Sequence, residues 1–421
     1  MDYRIYPPEE PVEARIGLPL SKSISNRALI INALTQGARP ITALAACDDT
    51  DAMVAALDSR ESHINIGAAG TTMRFLTAYF STHEGRTVTL DGSERMRRRP
   101  IGPLVDALRQ CGADIEYAGE EGFPPLKIHG RHLTGGDVTL PATISSQYIS
   151  ALLMIAPLME SGLRLHLTGE IISRPYILMT LSLMERWGVA ADFSDGTITV
   201  PAGSYRPCDF TVEADWSAAS YWYEIAALSA SEFTLGGLQH PSVQGDSRAA
   251  TIFEALGVIT SYNPDSVSIA PSPDLNGRLD IDLSEQPDLA QTIVVTCCML
   301  GIPFHITGLS TLRIKETDRL AALVTELGRL SFVIEAERDC ELSWDGSRRP
   351  IFDETIAIST YDDHRMAMAF APCAIYLPGL VIKDVEVVSK SYPGYWNDLR
   401  EIGFTLEDAS MPHIEAEETD D

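Results

Sequence analysis

Apolar residues along the chain recur in one order: an amphipathic helical stretch, a stop that contains glycine, then a short alternating run suited to a half-buried strand. Leu104 to Gly112 leads into Ala113-Asp114-Ile115-Glu116-Tyr117, and Leu181 to Gly188 leads into Val189-Ala190-Ala191-Asp192-Phe193. Ile252 to Gly257 runs into Val258-Ile259-Thr260, and Leu320 to Ser331 into Phe332-Val333-Ile334. Leu399-Arg400-Glu401-Ile402-Gly403-Phe404 repeats the order near the end. The stops lie roughly seventy residues apart, too far for a solenoid of helix pairs. This spacing fits helices packed on a small mixed sheet, with glycine ending a helix and a hairpin following. Because 421 residues exceed one ordinary core, the units predict an α/β (α+β) protein of two lobes. One unit is short. A helix expected over Asp51 to Leu57 passes through Asp58-Ser59-Arg60-Glu61-Ser62-His63 to Ile64-Asn65-Ile66-Gly67 without the hairpin expected of the other units.

Composition narrows the function. Hydrophobic residues make up 45% and charged residues 22%, a globular balance. The net charge of -27 repels nucleic acid and anionic membrane, so neither is an expected partner. Any site for an anion must then gather lysine and arginine locally. The start, Met1-Asp2-Tyr3-Arg4-Ile5-Tyr6-Pro7-Pro8, has no signal-peptide pattern. The most apolar runs, near Ile149 to Met159 and Ile293 to Phe304, fall short of the ~18 residues of a membrane span. Seven cysteines without metal or CxxC spacing predict reduced, core-filling thiols and a cytoplasmic location.

Several segments carry candidate chemistry. Ser21-Lys22-Ser23-Ile24-Ser25-Asn26-Arg27 sets Lys22 and Ser23 at a helix start, where free N–H groups and the dipole suit a phosphate. A serine-capped surface helix fits the same residues. Gly67-Ala68-Ala69-Gly70-Thr71-Thr72-Met73-Arg74 reads as a glycine-rich turn opening a helix, without the pattern of a nucleotide loop. Arg95-Met96-Arg97-Arg98-Arg99-Pro100 is either a solvated loop or a bidentate grip on carboxylate or phosphate. Ile144-Ser145-Ser146-Gln147-Tyr148 and Ser173-Arg174-Pro175-Tyr176 offer hydroxyls and an amide at helix starts. Arg313-Ile314-Lys315-Glu316-Thr317-Asp318-Arg319 would place Lys315 and Arg319 on one helical face, which ion pairing alone also explains. Tyr361-Asp362-Asp363-His364-Arg365 suggests a metal, yet a helix capped by Asp362 or Asp363 fits equally well. No nucleophile elbow, HExxH, EF-hand loop or kinase set is present, so metal and covalent hydrolase mechanisms lack support.

Read in chain order, the segments SKSISNR (21–27), AGTTMR (69–74), RMRRRPIGPLVDAL (95–108), SSQY (145–148) and SRPY (173–176) resemble the EPSP synthase family. QGD (244–246), PDLAQT (287–292), RIKETDRL (313–320), DDHRMAM (362–368) and SKSYPGY (389–395) continue the resemblance over nearly the whole chain. The resemblance implies an inside-out α/β barrel of two lobes, each of three repeated units, joined by a two-strand hinge. One lobe would be 18–214, with a shortened unit at about 51–67, and the other 1–17 with 215–421.

The implied reaction transfers the enolpyruvyl group of phosphoenolpyruvate to the 5-hydroxyl of shikimate 3-phosphate, with release of phosphate. By the same resemblance Ser23, Arg27, Ser145, Ser146, Ser173, Tyr176, Asp288 and Lys315 hold shikimate 3-phosphate. Lys22, Arg95, Gln147, Arg319, Arg365 and Lys390 would surround phosphoenolpyruvate, and Gly70 would allow close backbone approach. Asp288 would take the hydroxyl proton, and Glu316, with Lys22 nearby, would move the proton at carbon; their environments should push their pKa values apart. No metal or organic cofactor is implied, and a monomer is expected.

Three positions depart from the family pattern: Ala68 replaces an Asn, Phe75 a Pro, and Thr311 an Asn that contacts shikimate 3-phosphate. No implied ligand lies in the short unit, so activity is expected to survive it. The related UDP-N-acetylglucosamine enolpyruvyl transferases carry a Cys ahead of their Arg-Pro and a Lys-Asn pair; here no Cys precedes Arg99-Pro100, and Lys22 is followed by Ser23. A non-catalytic binding protein on the same fold is the other alternative. The presence of Asp288, Glu316 and Lys22 together speaks against it.

Overall fold

The structure, a computed structural model, describes residues 1–338, 340–350 and 356–410. Among these, five four-stranded sheets share one topology. In the first, His63–Asn65 runs parallel to Thr87–Asp91, which is antiparallel to Leu126–His129, itself antiparallel to Asp114–Tyr117. Helix Gly70–Ser81 links the first two strands, and Gly102–Gln110 leads into the hairpin. The unit beginning at Gly136–Pro141 and the one beginning at Leu279–Asp282 repeat this βαβαββ order. The other two sheets are completed by the start of the chain. Tyr3–Tyr6 is antiparallel to both Leu380–Ile382 and Thr405–Asp408, while Glu13–Gly17 lies parallel to Glu232–Gly236. The last unit therefore has no local hairpin; its closing strand comes from the N-terminus.

Most of the stops are one motif. At Gly112 the next N–H returns to Leu108, at Gly188 to Met184 and at Gly403 to Leu399, each with a glycine at positive φ. This is the Schellman pattern, whose left-handed residue glycine adopts without strain. Ser331 occupies the same place at φ 79, with Phe332 N–H returning to Leu327. Gly257 differs: it lies inside strand Leu256–Asn263, where the register shifts between Leu256 and Val258, and is a bulge rather than a helix stop. Phe332-Val333-Ile334 makes only an isolated bridge, and the strand follows at Glu335–Glu337.

The short unit keeps two helices, Lys22–Ala33 and Asp48–Asp58, with no strand between them. The second begins three residues earlier than its apolar pattern indicates, because Asp48, Asp49 and Asp51 favour the first turn electrostatically.

Two hydrophobic clusters form, one from Ile24 to Val212 and one from Ile5, Ile16 and Leu18 together with Ala214 to Phe404. Their junction is two strands wide: Leu20 bridges Ala214, Ser21 N–H donates to Glu213 at 2.8 Å, and Asp215 N–H to Pro19 at 2.9 Å. In each cluster three helices pack on one another inside the sheets: Lys22–Ala33, Gly70–Ser81 and Ser146–Ile155 in one, and Trp216–Ser229, Ala290–Leu300 and His364–Phe370 in the other. The all-round apolar character of Ala290–Leu300 follows from that central position; Ala290 to Cys298 is buried without a break. No helix among the described residues is long and apolar enough to cross a membrane.

Candidate functional site

Residues at or beside the starts of all six central helices line one cleft of about 1300 Å³, open solvent included. Lys22 and Ser23, Gly70 and Thr71, Ser145 to Gln147, Ser217 and Ala218, Asp288, and His364 and Arg365 all face it. Six positive dipole ends and their free N–H groups thus converge, three from each cluster, which favours a multiply charged anion. Caps take up some of these N–H groups. Ser145 accepts from Gln147 N–H at 3.3 Å and Asp363 from Arg365 N–H at 2.9 Å. Asp215 accepts from Ala218 N–H at 3.0 Å and, across the junction, from Lys22 N–H at 3.3 Å.

Two cations in the cleft have no carboxylate within ion-pair distance among the described residues. Buried Arg27 donates to Thr180 Oγ1 at 2.8 Å, Ser23 O at 3.0 Å, Ser150 Oγ at 3.2 Å and Tyr176 O at 3.4 Å, all neutral groups. Burial pulls its pKa down to about 10. Buried Arg74 donates to the Gly70 and Pro100 carbonyls, and burial followed by the charge of Arg99 brings it too to about 10. A buried guanidinium without a counterion is costly, and a bound anion removes that cost.

The remaining cations are held by acids. Asp288 receives Arg319 at 3.0 Å, Arg365 at 3.2 Å, Lys315 at 3.5 Å and the Tyr176 hydroxyl at 3.3 Å. Glu316 receives Arg319 at 3.0 Å, Lys390 at 3.3 Å and Arg99 at 3.7 Å. Burial alone would raise both carboxyls, but the surrounding charges win and hold both well below the usual carboxylate range. Both carboxyls are thus moved in the same direction, Asp288 chiefly by Arg365 and Glu316 chiefly by Lys390, with Arg319 shared between them. Lys22 meets Asp49 at 3.2 Å; burial opposes its charge, yet Asp49 above all holds its pKa above the ordinary lysine value. His364 is buried with neither ring nitrogen hydrogen-bonded, Nδ1 lying 3.6 Å from Asp363, and burial followed by the charges of Lys22 and Arg365 lowers its pKa well below the ordinary histidine value.

Ser173, Tyr176, Thr311, Lys315, Glu316 and Arg319 also line the cleft, so every residue singled out above faces it except Arg95 and Lys390. Lys390 stands just behind, its Nζ 3.3 Å from both Glu316 Oε1 and the Ala68 carbonyl. Arg95 is a correction: it is exposed, outside the cleft, and bonded to backbone. The arginine that enters from this segment is Arg99, packed against Gly70. Lys315 and Arg319 do not share a helical face either. The helix starts at Arg319 under an Asp318 cap, and extended Lys315 precedes it, yet both reach Asp288. Sequence reasoning missed Asp49, Arg74, Arg99, Asp215 and His364. Arg74 and Arg99 stand inside quoted motifs, whereas Asp49 has no local signal beyond an acidic helix start.

A family model described as EPSP synthase (3-phosphoshikimate 1-carboxyvinyltransferase) matches residues 7–61 and 56–399. A 3-phosphoshikimate 1-carboxyvinyltransferase of Bacteroides fragilis (strain YCH46) is 53% identical over 409 residues, covering 96% of this chain and 99% of the relative. One from Shewanella oneidensis is 38% identical over 414 residues, with 91% and 96% covered. The crystal structure of an EPSP synthase from Acinetobacter baumannii shares the fold at a TM-score of 0.74 and 19% identity, covering 97% of this chain and 100% of that one. With the topology, the converging helix starts and these likenesses in agreement, the chain belongs to the EPSP synthase family.

Proposed function

We propose that this chain catalyses the family reaction: transfer of the enolpyruvyl group of phosphoenolpyruvate to the 5-hydroxyl of shikimate 3-phosphate, with release of phosphate, in aromatic amino-acid biosynthesis. The observation that carries this reading is the cleft where six helix starts meet two buried arginines lacking carboxylate partners. Ser23, Arg27, Ser145, Ser146, Ser173, Tyr176, Thr311 and Lys315 would hold shikimate 3-phosphate. Lys22, Gly70, Arg99, Gln147, Arg319, Arg365 and Lys390 would surround phosphoenolpyruvate.

In the addition step the 5-hydroxyl oxygen bonds to the enol carbon while its proton passes to Asp288, and Glu316 gives a proton to the methylene. Elimination returns a methyl proton to Glu316 and expels phosphate, which leaves with the proton that Asp288 had taken, so both carboxyls end as they began. In the ligand-free cleft both carboxyls are counterions and are held too low to exchange protons near neutrality. Incoming phosphate and carboxylate groups would take over Arg319, Arg365 and Lys390, letting both pKa values rise towards a useful range. Bodies 18–214 and 1–17 with 215–421 would close about the junction at Pro19–Ser21 and Glu213–Asp215, excluding water. The enzyme would act as a cytoplasmic monomer without metal or organic cofactor.

The test is phosphate release with both substrates, repeated with Asp288→Ala and Glu316→Ala. Binding of shikimate 3-phosphate without any phosphate release would favour a binding protein on this fold; unchanged turnover in both variants would overturn the assigned roles.

A further inference from the structure

The arginine cluster divides its labour. Arg97 stays within its own lobe, bonded to Asp91 at 2.7 Å and Glu94 at 3.1 Å. Arg95 and Arg99 flank the single 3-10 turn Met96–Arg98, and both reach across to one residue of the other lobe, Glu316. Arg99 meets its carboxylate at 3.7 Å. Arg95 takes the main chain: its Nε donates to the Glu316 carbonyl at 3.0 Å and its Nη2 to the Lys315 carbonyl at 3.1 Å. The two acceptors are successive, so the rigid planar fork fixes the orientation of the peptide between them.

Location separates this contact from two of the other cross-lobe pairs. Arg99 with Glu316 and Tyr176 with Asp288 lie inside the cleft, where substrate anions compete for the same groups. Arg95 is exposed and outside it, so an anion in the cleft does not compete directly for its donors. The segment it grips is a bend outside any helix or strand, between the turn Ser310–Ile314 and the Asp318 cap of the next helix. That bend bears Lys315 and Glu316.

We propose that Arg95 is a positioning residue and closure latch: across the lobe junction it holds the Lys315 and Glu316 carbonyls, so that the Glu316 carboxylate reaches its working place only when the lobes are shut. The proposal rests on the reaction given above. It couples closing to assembly of the proton-transfer group, and an open enzyme would hold substrate with Glu316 misplaced.

The experiment uses the full chain with Arg95→Met, which keeps the length and removes the donors, and Arg95→Lys, which restores one donor. Phosphate release is measured over a range of both substrates, and compaction with both at saturation is followed by small-angle X-ray scattering. Melting curves matching the parent's exclude misfolding. Arg95→Met is expected to lose roughly ten- to a hundred-fold in kcat, about the worth of one charge-assisted hydrogen bond because solvent exposure weakens the pair, and to compact less; Arg95→Lys should recover part of both. Wild-type kcat and compaction in Arg95→Met would overturn the latch. So would a raised KM for phosphoenolpyruvate with kcat and compaction intact, which would make Arg95 a direct anion ligand. A parent protein that releases no phosphate would overturn the proposed reaction instead, while its compaction would still report on the latch.

Discussion

Arg99 packs so closely on Gly70 that a Cβ at residue 70 would stand 2.6 Å from its Nη1. The missing side chain is what lets the guanidinium face the cleft, and the obstacle is the far end of a flexible chain rather than backbone. Gly70→Ala should therefore leave the fold intact and swing Arg99 aside. The expected result is a rise of roughly tenfold in KM for phosphoenolpyruvate, worth about 1.4 kcal/mol, with the affinity for shikimate 3-phosphate and the melting temperature nearly unchanged. Steady-state kinetics together with a thermal melt decides it; a large loss of stability would mean the contact is structural.

Because Asp288 and Glu316 act as counterions in the empty cleft, removing either should have two opposite effects. Turnover falls, by about 10²–10⁴-fold for a lost proton-transfer group. Anion binding tightens, because Lys315, Lys390 and the arginines lose their internal partner. Calorimetric titration of inorganic phosphate into Glu316→Gln should give a lower Kd than the parent's, alongside a lower ligand-free melting temperature that phosphate restores. Weaker phosphate binding in that variant would sink this account of the cleft.

Asp246 gives a pH dependence of definite sign. Burial, followed by the charge of Asp288, raises its carboxyl to about 6, against the opposing effects of Arg365 and the Ser217 hydroxyl bond, with Asp215 adding to the rise. Tyr176 also faces it. An acid whose folded pKa is raised favours folding while protonated. Its contribution is best below the unfolded value of 3.8, fades as pH climbs to about 6, and is constant above that. Two units correspond to about 3 kcal/mol as an upper bound. The stability difference between Asp246→Asn and the parent should shift in favour of the variant by up to that amount between pH 4 and 6 in denaturant titrations. A difference that stays flat over that window would show that Asp246 titrates normally.

Much of the architecture is legible locally. The Schellman stops at Gly112, Gly188 and Gly403 announce helix ends because the motif is written in adjacent residues. The strands that complete the last two sheets were not, since Tyr3–Tyr6 finds its partners near residues 381 and 406 and nothing near it in sequence says so. The same limit applies in the cleft. Lys22, Ser145 and Arg365 sit at helix starts, whose chemistry is local. Which of four neighbouring arginines points inward depends on one 3-10 turn, Met96–Arg98, and so Arg99 lines the cleft where Arg95 was expected. Arg74 is read at the end of AGTTMR without a role of its own, because its burial against the Gly70 and Pro100 carbonyls arises only in the packed structure.

Ser331 is the one non-glycine residue among the four Schellman stops described, and it offers the cleanest stability test. Its φ of 79 is matched by Gly112 at 96, Gly188 at 82 and Gly403 at 94, and its flanking hydrogen bonds follow the same pattern. A residue with a Cβ in the left-handed region costs roughly 1–2 kcal/mol, while glycine gives back part of that through the freedom of its unfolded chain. Ser331→Gly should therefore stabilise the protein by about 0.5–1 kcal/mol, a balance in which relief of the strained backbone exceeds the entropy loss. The Arg349 N–H bond to the Ser331 carbonyl, at 2.7 Å, is backbone and survives the change. A denaturant titration should move to a higher midpoint with an unchanged slope, and kinetics should not change, because residue 331 lies at the far end of the helix that starts at Arg319 in the cleft. A lower midpoint would mean that the buried serine side chain contributes packing that outweighs its backbone strain.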